Sequence, residues 1–111
     1  MVTIDCADPK GLARFWTEAL GTTISHDMEG AYLILAPATE GGVALALQKV
    51  PESKSGKNRV HIDLTTQGRA ADVARLVGLG ATVVDEHEFP GFAWTVLTDP
   101  EGNEFCVGGE T

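Results

Sequence analysis

Cysteine, basic residues and long apolar runs are all scarce in this 111-residue chain, and each scarcity removes a class of protein. Two cysteines are too few for a disulfide-stapled scaffold. Lysine and arginine number 8 against 16 aspartate and glutamate, a formal charge of −8. That balance repels phosphate backbones, so neither nucleic acid nor an anionic membrane is an expected partner. No apolar run approaches the roughly 20 residues that span a bilayer. The start, Met1-Val2-Thr3-Ile4-Asp5, lacks the basic region and apolar stretch of a signal peptide. There is no glycine period and no heptad repeat. What is present is a chain that is 43% hydrophobic, enough for a packed core, at a length that suits one domain. The expectation is a soluble cytoplasmic domain, residues 1–111, in which Cys6 and Cys106 stay reduced.

Periodicity divides the chain into two similar halves. Val2, Ile4 and Cys6 alternate with Thr3 and Asp5, as in a half-buried strand. Asp8-Pro9 supplies an N-cap and a first-turn proline. The helix that follows carries Leu12, Phe15, Trp16, Ala19 and Leu20 on one stripe, and Gly21 ends it. Strand-like segments follow at 22–26, 31–36 and 43–49. The polar stretch 51–58 reads as a connector. Val60-His61-Ile62-Asp63-Leu64 then repeats the opening pattern. A second helix over about 70–79 is expected to bury Val73, Leu76 and Val77, with Gly80 closing it. Val83-Val84, Phe92–Thr98 and Glu104–Val107 supply three further strands, and Asp99-Pro100-Glu101-Gly102-Asn103 forms a structural turn. Each half reads strand–helix–strand–strand–strand, module one over about 1–50 and module two over about 59–111.

Phe15-Trp16…Leu20-Gly21, His61-Ile62-Asp63, Leu79-Gly80-Ala81 and Asp99-Pro100-Glu101-Gly102-Asn103-Glu104-Phe105 occur in order along nearly the whole chain. Together they resemble the glyoxalase-like domains of the vicinal oxygen chelate (glyoxalase/bleomycin resistance protein/dioxygenase) superfamily. The resemblance implies an α+β fold of two paired βαβββ modules. Their eight strands would form a cupped, mostly antiparallel sheet around a pocket, with the helices outside. It also implies a homodimer. It names no reaction, because fold and function are separable.

Catalysts of that superfamily usually hold a divalent metal with His and Glu or Gln side chains at equivalent strand positions of the two modules. In the second module those positions fall on His61 and Cys106. In the first they fall on Met1 or Thr3 and on Ala46 or Gln48, according to whether the halves align with an offset of about 60 or about 58 residues. His61 is a standard ligand, Gln48 a candidate second and Cys106 an unusual third. On this donor count the expected pocket needs no metal cofactor. The alternative is a divalent ion held through His61, Gln48 or Cys106, with Asp63 and Glu104 able to substitute from the same strand faces.

Strand alternation also outlines a pocket wall. His61, Asp63 and Thr65 share one face, as do Glu104 and Cys106, and Ala44, Ala46 and Gln48. Tyr32, Phe92 and Trp94 are candidate aromatic contacts. The opposite faces, including Val60-Ile62-Leu64 and Phe105-Val107, are expected under the helices. On a regular strand His61 and Asp63 would stand about 6.5 Å apart, and Cys106 reads as a small buried hydrophobe. His26 and His87 are expected in solvent. Lys54-Ser55-Gly56-Lys57 lacks the first glycine and the final hydroxyl residue of a phosphate-binding loop. The function expected first is binding or sequestration of a small molecule without metal. The alternative is a lyase or isomerase of glyoxalase type. In it His61 would serve as metal ligand or general base, with Asp63 and Glu104 as further catalytic groups.

Overall fold

Apolar alternation followed by a capped amphipathic stretch places a strand first and a helix second in each half of the chain. The computed structural model describes residues 1–109, and the chain divides into two compact units, Met1–Lys54 and Ser55–Thr111. The first runs β1 (Val2–Cys6), α1 (Pro9–Leu20), β2 (Ile24–Met28), β3 (Tyr32–Leu35) and β4 (Leu45–Lys49). The second runs β5 (Ile62–Thr65), α2 (Arg69–Leu79), β6 (Thr82–Phe89), β7 (Phe92–Thr98) and β8 (Glu104–Gly109). Among the described residues no helix is long and apolar enough to cross a membrane.

Each unit contains one four-stranded sheet, in the order β1-β4-β3-β2 or β5-β8-β7-β6. The eight strands are therefore hydrogen-bonded as two sheets of four. In both, the first strand pairs in parallel with the last, and the other pairings are antiparallel. The registers match as well: Val2 faces Leu45 as Ile62 faces Phe105, at the same separation along the chain.

The first helix shows why the fold starts well. Asp8 caps it by accepting the Gly11 N–H at 3.2 Å, Pro9 stands in its first turn, and no β-branched residue occurs before Thr17. Gly21 ends it at φ 66, a left-handed conformation that costs glycine little. Leu12, Ala13, Phe15, Trp16 and Ala19 are buried, and the helix packs on β3 and β4. Beneath it lie Leu33, Leu35, Leu45 and Leu47. Each leucine-sized side chain contributes about 1.5–3 kcal/mol by leaving water.

The second helix is more sparsely packed. Its N-cap is Gly68, with no side-chain bond, and Leu76 is its one buried residue, set against β8. Val77 is 45% exposed and Val73 half-buried, where the periodicity predicts burial for both. Val60 also departs from expectation: it precedes β5 and is 78% exposed. The buried side of this sheet is Ala93, Thr95 and Leu97 of β7 with Phe105 and Val107 of β8. Arg69, at the start of α2, donates to the Thr95 hydroxyl at 2.7 Å.

Strand β6 spans eight residues where the sequence suggests two. All eight are exposed, so Asp85-Glu86-His87-Glu88 shows no alternation, and pairing with β7 supplies the structure. The predicted structural turn is one. The buried Asp99 carboxylate accepts the backbone N–H of Glu101 and of Asn103 at 2.9 and 3.0 Å and the Asn103 side-chain amide at 3.0 Å. It thereby sets the β7–β8 register, Thr98 opposite Glu104 and Val96 opposite Cys106.

Candidate functional site

That register decides which side chains share the polar face of the second sheet. Asp63 of β5 is the parallel partner of Cys106 of β8, and Cys106 lies opposite Val96 of β7. One step along, Thr65 partners Gly108, which lies opposite Trp94. A bulge between Val83 and Asp85 then turns Asp85, His87 and Phe89 of β6 to face Val96, Trp94 and Phe92. The bulge is why a polar stretch without alternation joins this face.

A cavity of about 430 Å³ opens on it, lined by His61, Asp63, Leu64, Thr65, Phe92, Trp94, Cys106 and Gly108. Its volume lies in the range of small-molecule sites. One end is aromatic. Trp94 stacks on His87 with ring centroids 5.0 Å apart, and Phe89 and Phe92 flank it at 5.6 and 6.1 Å. Gly108 makes room for this wall, because a Cβ there would stand 2.9 Å from the Phe92 ring.

The other end is polar. His61 Nδ1 lies 3.1 Å from Asp63 Oδ1 and 3.8 Å from Cys106 Sγ. His61 stands just before β5, which begins at Ile62, and its ring reaches the Asp63 carboxylate although the two backbone positions are two residues apart. With Asp63 ionised, the Nδ1–H donates to its carboxylate, leaving Nε2 as the acceptor of the neutral ring. Burial pushes the Cys106 thiol up from its ordinary value. The Asp63 charge, and its acceptance of the S–H, push it further, while Lys57 acts the other way. The thiol is therefore held protonated, the opposite of an activated nucleophile.

His61, Asp63, Phe92, Trp94 and Cys106 thus meet in one cavity. Glu104 has a different engagement: its carboxylate accepts the Asn58 N–H at 2.9 Å and does not line the cavity. Gln48 and Tyr32 belong to the first sheet, where they are direct partners across β3 and β4. His87 is exposed, as expected of a solvated histidine, and it also stacks on Trp94 and pairs with Asp85 at 3.2 Å. The stacking has no local signal, since it depends on the register set by the β6 bulge.

The two units also differ in donors. β5 and α2 begin 60 residues after β1 and α1 (62 against 2, 69 against 9), which selects the longer of the two alignments. The counterparts of His61, Asp63 and Cys106 are then Met1, Thr3 and Ala46, which bring no imidazole, carboxylate or thiolate. The His61, Asp63 and Cys106 ligand atoms, by contrast, all lie within 4.8 Å of one another. This donor set is ill suited to Mg²⁺ or Mn²⁺, which favour oxygen, and suits a softer ion such as Zn²⁺.

The fold is widely shared. A glyoxalase/bleomycin resistance protein/dioxygenase family enzyme from Burkholderia phytofirmans PsJN superposes with a TM-score of 0.83 at 17% identity, covering 99% of this chain and 96% of that one. Lactoylglutathione lyase from Agrobacterium tumefaciens gives 0.72 at 16% identity, over 97% and 90%. A variant of the fosfomycin resistance protein FosX from Listeria monocytogenes, complexed with Mn(II) and 1S,2S-dihydroxypropylphosphonic acid, gives 0.82 at 13% identity, over 99% and 87%. At these identities the likeness is one of fold. No curated protein matches the chain significantly. The glyoxalase-like domain family, however, matches residues 1–108, and with the two βαβββ units in place the chain belongs to that family.

Proposed function

We propose that the second module's cavity binds a small organic molecule without turning it over. Such a ligand has a flat unsaturated part for the aromatic end and hydrogen-bonding atoms for the polar end. The observation that carries this reading is the division of one 430 Å³ cavity between Trp94 and Phe92 on one side and His61, Asp63 and Cys106 on the other. Aromatic faces supply apolar area and stacking at little entropic cost, and a few polar groups fix orientation. A thiol held protonated offers a hydrogen bond and no nucleophile. The homodimer expected from the resemblance belongs to the same proposal, with light scattering of the purified protein at twice the chain mass as its check.

The test is a screen of small aromatic compounds by ligand-observed NMR with chelator present. Compounds that bind should lose about tenfold or more in affinity against Trp94→Ala, the loss of one stacking contact. Binding indifferent to Trp94 sinks the reading.

The His61–Asp63 pair favours a second reading, proton transfer on a bound oxygenated substrate. Asp63 would orient the ring and steady the imidazolium, as the buried carboxylate does in hydrolase triads, while Nε2 takes the proton. On this reading compounds found in the screen are converted by the native chain, and His61→Ala binds them without conversion. Unchanged compounds after long incubation with the native chain eliminate it.

A further inference from the structure

We infer that the ligand of the second module's cavity carries a positive charge: a flat organic cation, held against Trp94 between two carboxylates. This rests on the binding reading above and deepens it, since that reading leaves the ligand's charge open.

Strand pairing places the carboxylates. Asp63 of β5 partners Cys106 of β8, Cys106 partners Val96 of β7, and Val96 partners Asp85 of β6. These four positions form one row across the face that holds the cavity, with an acid at each end. At about 4.8 Å per strand, the two acidic backbone positions stand about 14 Å apart. The next row holds Thr65, Gly108, Trp94 and His87 in the same order, so the indole lies between the acidic edges. Asp63 lines the cavity, and Asp85 stands beyond the lining on the same face. Both side chains are exposed.

Nothing basic offsets them inside the site. Among the described residues no lysine or arginine lines the cavity. Arg69 is turned to the opposite face of the sheet, where it bonds Thr95 and pairs with Glu86 at 3.7 Å. Lys57, whose charge reaches Cys106, is outside the lining.

The aromatic end favours the same ligand. His87 stacks on Trp94 from β6, which leaves a ligand the indole face on the β8 side, above Gly108. An indole face attracts cations better than the other aromatic side chains, because its quadrupole puts negative potential there. Asp85, paired with His87 at 3.2 Å, adds a negative charge behind the stack. An anion is repelled from both edges of the site, and a formal charge of −8 draws cations towards it.

The test titrates the full chain calorimetrically with three flat bicyclic compounds of similar shape and different charge. They are 1-methylquinolinium (a cation), 4-methylquinoline (neutral) and quinoline-4-carboxylate (an anion), with chelator present at about pH 8, above the ordinary histidine range. The cation should bind about tenfold more tightly than the neutral compound, and the anion more weakly than either. Salt at about 0.5 M should shrink the preference. Asp63→Asn and Asp85→Asn should each cut the cation's advantage to about threefold or less, with the neutral compound's affinity changed by less than about twofold. Both variants lie at exposed positions and should keep the native Tm. Trp94→Ala should weaken all three compounds. Equal binding of cation and neutral compound, with both lost in Trp94→Ala, overturns the inference and leaves the binding reading standing. A cation preference untouched by either aspartate variant overturns it as well. So does failure of the cation to bind, whereas the binding reading falls only on the Trp94 criterion of the aromatic screen.

Discussion

The two modules repeat one topology and one strand register, yet they differ in what their sheets and helices hold. In the first, the helix buries most of one face, centred on Trp16 at 1% exposure, and the positions equivalent to the polar corner are Met1, Thr3 and Ala46. In the second, a single helical side chain is buried, while the sheet's other face holds an imidazole, a carboxylate, a thiol and an aromatic wall. Duplicated backbone geometry therefore carries no chemistry by itself. Strand register pairs Thr3 with Ala46 as it pairs Asp63 with Cys106, and residue identity alone makes the second pair a carboxylate beside a thiol.

The comparison breaks most visibly in the helices. Trp16→Ala should cost about 3–5 kcal/mol, since it empties a filled core position. Val77→Ala on the second helix should cost less than about 0.5 kcal/mol, as at other surface positions. Urea denaturation of both variants measures the contrast. A large loss at Val77 would mean that its face of α2 is covered in solution.

A smaller effect sharpens the comparison at the pocket. Gly108 corresponds to Gln48 at the 60-residue offset. Gly108→Ala places a methyl group 2.9 Å from the Phe92 ring, which is 46% exposed and can swing aside. The stability cost should therefore stay near about 1 kcal/mol, while the Phe92 and Trp94 resonances shift. Gln48→Ala should change stability by less than about 0.5 kcal/mol. Unshifted aromatic resonances in Gly108→Ala would show that Phe92 does not rest on that glycine.

The smallest effect is a slope. The Cys106 thiol is raised in the folded chain, by burial first and by Asp63 second. Up to about pH 7.5, roughly one unit below the ordinary thiol value, both folded and unfolded chains keep the proton, and stability does not change on this account. Above that the unfolded chain loses the proton first, so stability falls as pH climbs towards the raised folded-state value. With chelator present, Cys106→Ser should flatten that part of the alkaline decline. An unchanged decline would assign it to other groups.

Local sequence determined the order of elements and the better-packed module. Asp8-Pro9 and Gly21 bound the first helix at both ends, the Leu12–Phe15–Trp16–Ala19 stripe names its buried face, and Asp99-Pro100-Glu101-Gly102-Asn103 announces the turn it forms. Each of these signals acts over a few residues, within reach of one helical turn or one hairpin. Strand β6 was legible only at Val83-Val84 and not over its full length, because its exposed residues show no apolar alternation. The meeting of Asp63 with Cys106 was legible only as two strand faces, and that of His61 with Asp63 was hidden because backbone spacing along a strand does not show how far two side chains reach. Only the tertiary structure decided them. Parallel pairing joins β5 to β8 across more than 40 residues of chain, the β6 bulge turns His87 onto Trp94, and Gly108 leaves the space beneath Phe92. Such contacts come from backbone hydrogen bonds between distant segments, and side-chain periodicity contains no record of which distant strand will be the partner.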